Sequence, residues 1–142
     1  MNKSTISKID ETDKKFRVTA KNVIFFERPT LNRRLYRKES MPDILQQMKE
    51  RNVPVYLRPL EENIFYEQPI GMMDKNSVVV DGYNISCDFV INDINVQELI
   101  KQDKINICPD FYAHVDQAIM TDGVSGFVRD PKLVSFSIEY ID

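Results

Sequence analysis

Tyr83-Asn84-Ile85-Ser86-Cys87-Asp88-Phe89-Val90-Ile91 decides the fold. Tyr83, Ile85, Cys87, Phe89 and Ile91 fall on one face of an extended chain, and Asn84, Ser86 and Asp88 on the other. A period of two is the mark of a half-buried strand, and it puts Cys87 in the core as a structural thiol. After a turn over 92–95, Asn95 and Glu98 have capping-box spacing. Val96, Leu99 and Ile100 then give a short helix one apolar face, which ends near Gln102-Asp103. Lys104-Ile105-Asn106-Ile107-Cys108 returns to the period of two, with Ile105 and Ile107 inward and Asn106 and Cys108 on the opposite face.

Upstream of this stretch, Val18, Val23, Ile24, Phe25 and Phe26 predict a strand at about 17–27, stopped by Pro29. Residues 28–39 are basic and irregular. Ser40-Met41-Pro42-Asp43 opens a helix, with Ser40 as the cap, Pro42 in the first turn and Asp43 at the positive end of the dipole. Ile44, Leu45 and Met48 form its buried face, and it stops near Asn52. Val53 to Leu57 reads as a strand ended by Pro59, and Leu60 to Gln68 as an acidic loop holding Phe65 and Tyr66. Pro69-Ile70-Gly71-Met72-Met73 starts another strand, Asp74-Lys75-Asn76-Ser77 turns, and Val78 to Val80 is extended again. Downstream, 109–123 reads as a loop with a turn at Thr121-Asp122-Gly123. Leu133 to Ile141, after Pro131, closes the chain as a strand alternating Val134, Phe136, Ile138 and Tyr140 with Ser135, Ser137 and Glu139.

Six or seven strands with short connections and two short helices predict a mainly β or α+β fold. The sheet is expected to be mostly antiparallel and barrel-like, with the helices at its edge. The 142 residues suit one domain over 17–142, preceded by a basic flexible arm over 1–16 that orders only on a partner.

No apolar run reaches the ~20 residues a membrane helix needs. Met1 to Lys8 lacks the apolar core of a secretory signal, so a cytosolic origin is expected. Two Cys make neither a disulfide framework nor a structural zinc site, and no Gly-rich phosphate loop is present, so no cofactor or metal is expected. Glu61-Glu62 and Asp110/Asp116 read as solvated surface. The net charge of −3 divides unevenly. Residues 1–40 hold 11 Lys and Arg against 5 Asp and Glu (+6), and residues 41–142 hold 8 against 17 (−9). A basic end on an acidic body points to self-association or an acidic partner through Lys14, Lys15, Arg28, Arg33, Arg34, Arg37 and Lys38. No nucleic-acid-binding motif supports DNA as that partner.

The residues with covalent chemistry are Cys108 and His114, the chain's single His, six positions apart. In an extended strand that separation is about 20 Å, so the chain must fold back to pair them.

Three segments resemble the tailed-phage prohead (capsid maturation) proteases, which share the herpesvirus assemblin fold. Asn32-Arg33-Arg34-Leu35-Tyr36-Arg37-Lys38-Glu39 resembles their Asn-x-Arg-x-Tyr-Pro-x-Glu segment, with Arg37 in place of Pro. Val53-Pro54-Val55-Tyr56-Leu57-Arg58-Pro59, followed by Pro69-Ile70-Gly71-Met72-Met73, is similar to the strand bearing the catalytic His-Pro and the strand after it. Tyr83–Ile91, the helix from Asn95 and Lys104–Cys108 resemble the segment that ends in the nucleophilic Ser. Leu133-Val134-Ser135-Phe136-Ser137-Ile138 resembles the closing strand. The likeness spans roughly 20–142.

The resemblance implies that Arg58 occupies the position of the catalytic His and Cys108 that of the Ser. A guanidinium stays protonated and cannot serve as general base. Cys is a nucleophile only as thiolate, which a nearby Arg58 would favour. The viral relatives carry a further His as a third group, at a longer spacing than His114. The implied function is an accessory or decoration component of a phage capsid, a pseudo-protease built on the inherited fold. It would contact the major capsid protein or neighbouring virion proteins, be assembled in the host bacterial cytoplasm and be located in the virion. A cysteine-type maturation protease using Cys108, with His114 as its base, and a non-catalytic assembly factor are the alternatives.

Overall fold

The computed structural model describes residues 3–30, 33–58, 68–121 and 124–141, with backbone alone at 13, 117–121, 124 and 125. The features read at Asn32, Pro59, Glu61-Glu62, Phe65, Tyr66 and Asp122-Gly123 lie outside the described residues.

The strands are β1 (Thr5–Asp10), β2 (Phe16–Phe25), β3 (Arg34–Tyr36), β4 (Pro54–Leu57), β5 (Gly71–Asp81), β6 (Asn84–Ile91), β7 (Ile105–Thr121) and β8 (Val124–Tyr140). The helices are α1 (Met41–Glu50) and α2 (Ile94–Lys101). All eight strands join one mixed sheet in the order β1-β2-β6-β5-β4-β8-β3, with β7 also paired to β8. The sheet curls into a half-barrel, as the mainly β reading expects. Among the described residues, only β3 and β4 run parallel to β8, and every other pair is antiparallel.

The alternation in β6 buries Ile85, Cys87, Phe89 and Ile91. Phe89 meets Phe136 of β8 edge to face, ring centroids 5.0 Å apart. Helix α1 buries Ile44 and Met48 against this core, and α2 buries Val96 and Ile100. Gly71 is required where β5 meets β6. A Cβ there would fall 2.4 Å from the Val90 carbonyl oxygen.

Several expectations are corrected. The region read as a flexible arm is a sheet strand over Thr5–Asp10, paired antiparallel with β2. Ile6 packs against the core, and Ser4 is buried with its side chain bonded to Asn106. Residues 109–121, read as loop, continue β7. Pro109 breaks no ladder bond there. Ile107 turns its N–H away from β8, to Ser4 Oγ, so by strand alternation position 109 also faces outward, where Pro lacks nothing. Pro131 likewise lies inside β8, at a register shift next to Asp130, whose φ is +51°.

The turn read at Asp74–Ser77 is an irregularity within the continuous β5, held by Asn76 N–H donating to Asp74 and Asp88 N–H donating to Ser77 Oγ. Ser40 makes no side-chain cap, since its backbone is already helical. Asp93, not Asn95, caps α2, accepting from the N–H groups of Asn95 and Val96. Tyr83 precedes β6 and is exposed, as are Val134 and Tyr140, while Ser135 and Ser137 are buried.

Candidate functional site

The site is built where three strands run side by side. Strand β4 lies parallel to β8 with Leu57 beside Ile138, and Arg58 N–H donates to the Ile138 carbonyl at 2.9 Å. On the other side of β8, the register sets Asn106 beside Glu139, Cys108 beside Ser137 and Asp110 beside Ser135. Alternation puts all six on the face opposite Ile105, Ile107, Phe136 and Ile138, which fill the core. The core-facing halves of β7 and β8 thereby fix a polar row on the reverse face.

The polar row is tied by hydrogen bonds. Arg58 Nη1 donates to Glu139 Oε2 at 2.8 Å and Nη2 to Asp110 Oδ1 at 3.1 Å. Asp110 Oδ2 accepts from Ser135 Oγ at 2.8 Å and also from Ser137 Oγ. Asn106 Nδ2 donates to Glu139 Oε1 at 2.8 Å. Asn106 Oδ1 accepts from both the N–H and the hydroxyl of Ser4, at 3.0 and 2.9 Å. Ser4 Oγ in turn accepts the Ile107 N–H. The start of the chain is therefore clasped to β7, and the network runs from Ser4 through Asn106, Glu139 and Arg58 to Asp110.

A cavity of about 290 Å³ opens beside this row. Lys3 and Ser4, Val23 and Phe25, Tyr36, Arg58 and Cys108 are among its lining residues. Cys108 is half-buried, and its Sγ lies 3.7 Å from the Ser137 carbonyl oxygen, to which the thiol donates. Burial, reinforced by Glu139, pushes this thiol up to about 12, and Arg58 offsets only part of that rise. The two carboxylates that hold the guanidinium also face the sulfur, and both raise the thiol against it. Burial, with Cys108 and Asp110 nearby, also pushes the Tyr36 hydroxyl up to about 12.

Arg58 and Cys108 are thus brought together, and His114 is not. His114 sits on the same extended strand as Cys108 and pairs with Arg129, eight residues along β8 from Ser137. Six residues of strand place its ring about 20 Å from the sulfur, so the fold-back that a Cys108–His114 pair needs does not occur. The site therefore holds a neutral thiol, a permanently charged guanidinium and two carboxylates engaged by that guanidinium. Among the described residues no group of three or more His, Cys, Asp or Glu side chains is arranged to hold a metal.

The basic residues read as partner-binding divide between the two ends of β2. Lys14 and Lys15 precede Phe16, which pairs with Ile91; Phe25, at the other end, lies under the Arg28 guanidinium at 4.3 Å. Arg33 has φ +63°, the Arg34 side chain lies across Gly126, and Arg37 stacks 4.5 Å over Phe127. Lys38 donates its backbone N–H to Glu27. Sequence reasoning missed Asp110 and Glu139 as partners of Arg58, and the clasp of Ser4 with Asn106. The outward placement of Asn106, Cys108 and Asp110 was readable, but not the register that sets them beside β8.

No family model matches the chain, and no curated protein matches it. Among solved structures it is similar to the bacteriophage T4 capsid assembly protease, gp21, with a TM-score of 0.70 and 12% identity. The likeness covers 96% of this chain and 93% of that one. The chain therefore has a capsid-protease-like fold, and at that identity the likeness establishes the fold alone. No helix among the described residues is long and apolar enough to cross a membrane.

Proposed function

We propose that this chain is a structural or accessory component of a phage capsid that keeps the fold of a capsid assembly protease without its chemistry. Arg58, engaged by Asp110 and Glu139, carries the reading. The resemblance assigns that position to the base of the protease pair, and a guanidinium accepts no proton at working pH. The neighbouring thiol, pushed up to about 12, stays protonated and a poor nucleophile. A fold can persist after its site has changed, because activity lives in the site. On this reading the chain resides in the virion, against the major capsid protein or another shell component. The cavity beside Cys108 favours a second reading, in which the protein binds or cleaves a polypeptide during maturation.

Quantitative mass spectrometry of purified mature particles separates these. The structural reading expects the full-length chain at a fixed ratio to the major capsid protein. Presence in immature particles and loss from mature ones would replace it with an assembly factor or a maturation protease.

A further inference from the structure

Beyond the polar row, the same face of β7 continues toward the hairpin end. Residues paired in register share a face, so Tyr112 stands with Lys132, His114 with Arg129, and Asp116 with Phe127. Phe127 is also beside Leu35 of β3 and under the guanidinium of Arg37. The surface here carries three cations, Arg37, Arg129 and Lys132, against two carboxylates, Asp116 and the exposed Asp130 between the two β8 cations, on a chain whose net charge is −3. Arg129 is paired with Asp116 at 3.1 Å; among the described residues no salt bridge engages Arg37 or Lys132. Tyr112 is 78% exposed in their midst. Aromatic and Arg side chains held in place on a surface are the usual anchors of protein recognition.

A second, independent feature adjoins this face. Among the described residues β7 forms a ladder only with β8, leaving its outer edge without a strand. Near the cavity that edge is closed, because Ile107 N–H is taken by Ser4 Oγ and Pro109 has none. Past Pro109, register shifts at Asp110/Phe111 and Tyr112/His114 interrupt the alternation and leave Ala113 without a partner in β8, and among the described residues no strand covers the outer edge over 111–115. Such an edge is a template for an added strand.

We infer that the outer edge of β7 from Phe111 to Val115 is a docking site for an extended acidic segment of a partner protein. The segment adds as a strand, with its carboxylates toward Arg37, Arg129 and Lys132 and an apolar side chain against Tyr112. Backbone pairing supplies affinity, and the cationic face selects acidic over basic sequences. This site is distinct from the Cys108 cavity and stands whether or not that cavity is catalytic.

Fluorescence anisotropy with a labelled peptide of alternating Val and Glu tests it, with a Val/Lys peptide and an oligothymidylate as comparison probes. The acidic peptide is expected to bind, more weakly as salt is raised. The Arg129→Glu/Lys132→Glu variant should bind it at least about tenfold more weakly, whereas Lys8→Glu/Lys21→Glu, at exposed positions on β1 and β2, should bind as the unaltered protein does. Ala113→Pro alters a residue that has no partner in the β8 register, so it should abolish binding while the unfolding midpoint stays near that of the parent. Binding insensitive to both the charge reversal and Ala113→Pro would overturn the proposal. So would equal binding of the basic peptide or tighter binding of the oligothymidylate. Sedimentation showing self-association that Ala113→Pro removes would also overturn it, giving the edge to a second copy of the chain.

Discussion

Arg58 and Asp110, 52 residues apart in sequence, meet through a 3.1 Å bond between Nη2 and Oδ1. The other oxygen of Asp110 takes the hydroxyls of the buried Ser135 and Ser137. One carboxylate thus links β4, β7 and β8. Asp110→Ala leaves two buried hydroxyls without their acceptor, and an unsatisfied buried polar group costs about 1–3 kcal/mol. The loss should appear as a lower urea midpoint at unchanged slope. Asp110→Asn, which keeps an acceptor oxygen, should lose less.

The state of Cys108 predicts its reactivity. With the thiol pushed up to about 12, almost none of it is thiolate at pH 8. Alkylation by iodoacetamide, followed by mass spectrometry, should run at least about a hundredfold slower than for a free cysteine. Cys87 is buried and also pushed up, so it does not supply a competing signal. Labelling of Cys108 at the free-thiol rate would show a thiolate and refute the assignment.

The clasp at the start of the chain makes a prediction that a flexible arm does not. Ser4→Ala leaves the Ile107 N–H without its acceptor and Asn106 Oδ1 with only the backbone N–H of residue 4, at a cost of about 1–2 kcal/mol. Deleting residues 1–10 removes strand β1 as well, and should lower the unfolding midpoint further. A solvated arm would leave the midpoint unmoved in both variants.

Stability should fall at both ends of the pH range. Asp74 is held below its ordinary 3.8, first by the Asn76 N–H and then by Arg17. Its folded value is below its unfolded one, so its contribution is present above about pH 4 and lost as pH falls through the lower folded value. Tyr36 and Cys108 shift the other way, from 10.0 and 9.0 up to about 12. Their contributions are complete below the unfolded values and vanish as pH rises toward 12. Thermal midpoints measured across pH should show both limbs. Asp74→Asn should flatten the acid limb and Cys108→Ser the alkaline one.

What the sequence made legible follows from how local each signal is. The period of two in Ile85, Cys87, Phe89 and Ile91, and the stripe of Ile44 and Met48, reflect burial that each segment declares by itself. Strand β1 declares little, because Ile6 and Ile9 are its only apolar residues and its partners in β2 are supplied by the fold. The far half of β7 was hidden by Pro109 and by register shifts that break the alternation. That Arg58 and Cys108 lie together was an expectation of the resemblance, and both line the same cavity. The carboxylates that engage Arg58 were not legible, since Glu139 lies 81 residues away and only the parallel pairing of β4 with β8 brings it near.

On the proposed reading, Arg58 and its carboxylates stand where a catalytic base would act, leaving no peptidase. The most direct measurement incubates the purified protein and its Cys108→Ala variant with capsid and scaffold proteins from the same phage, and follows intact masses over time. The account predicts unchanged masses with both proteins. Cleavage by the parent protein that Cys108→Ala abolishes would contradict it.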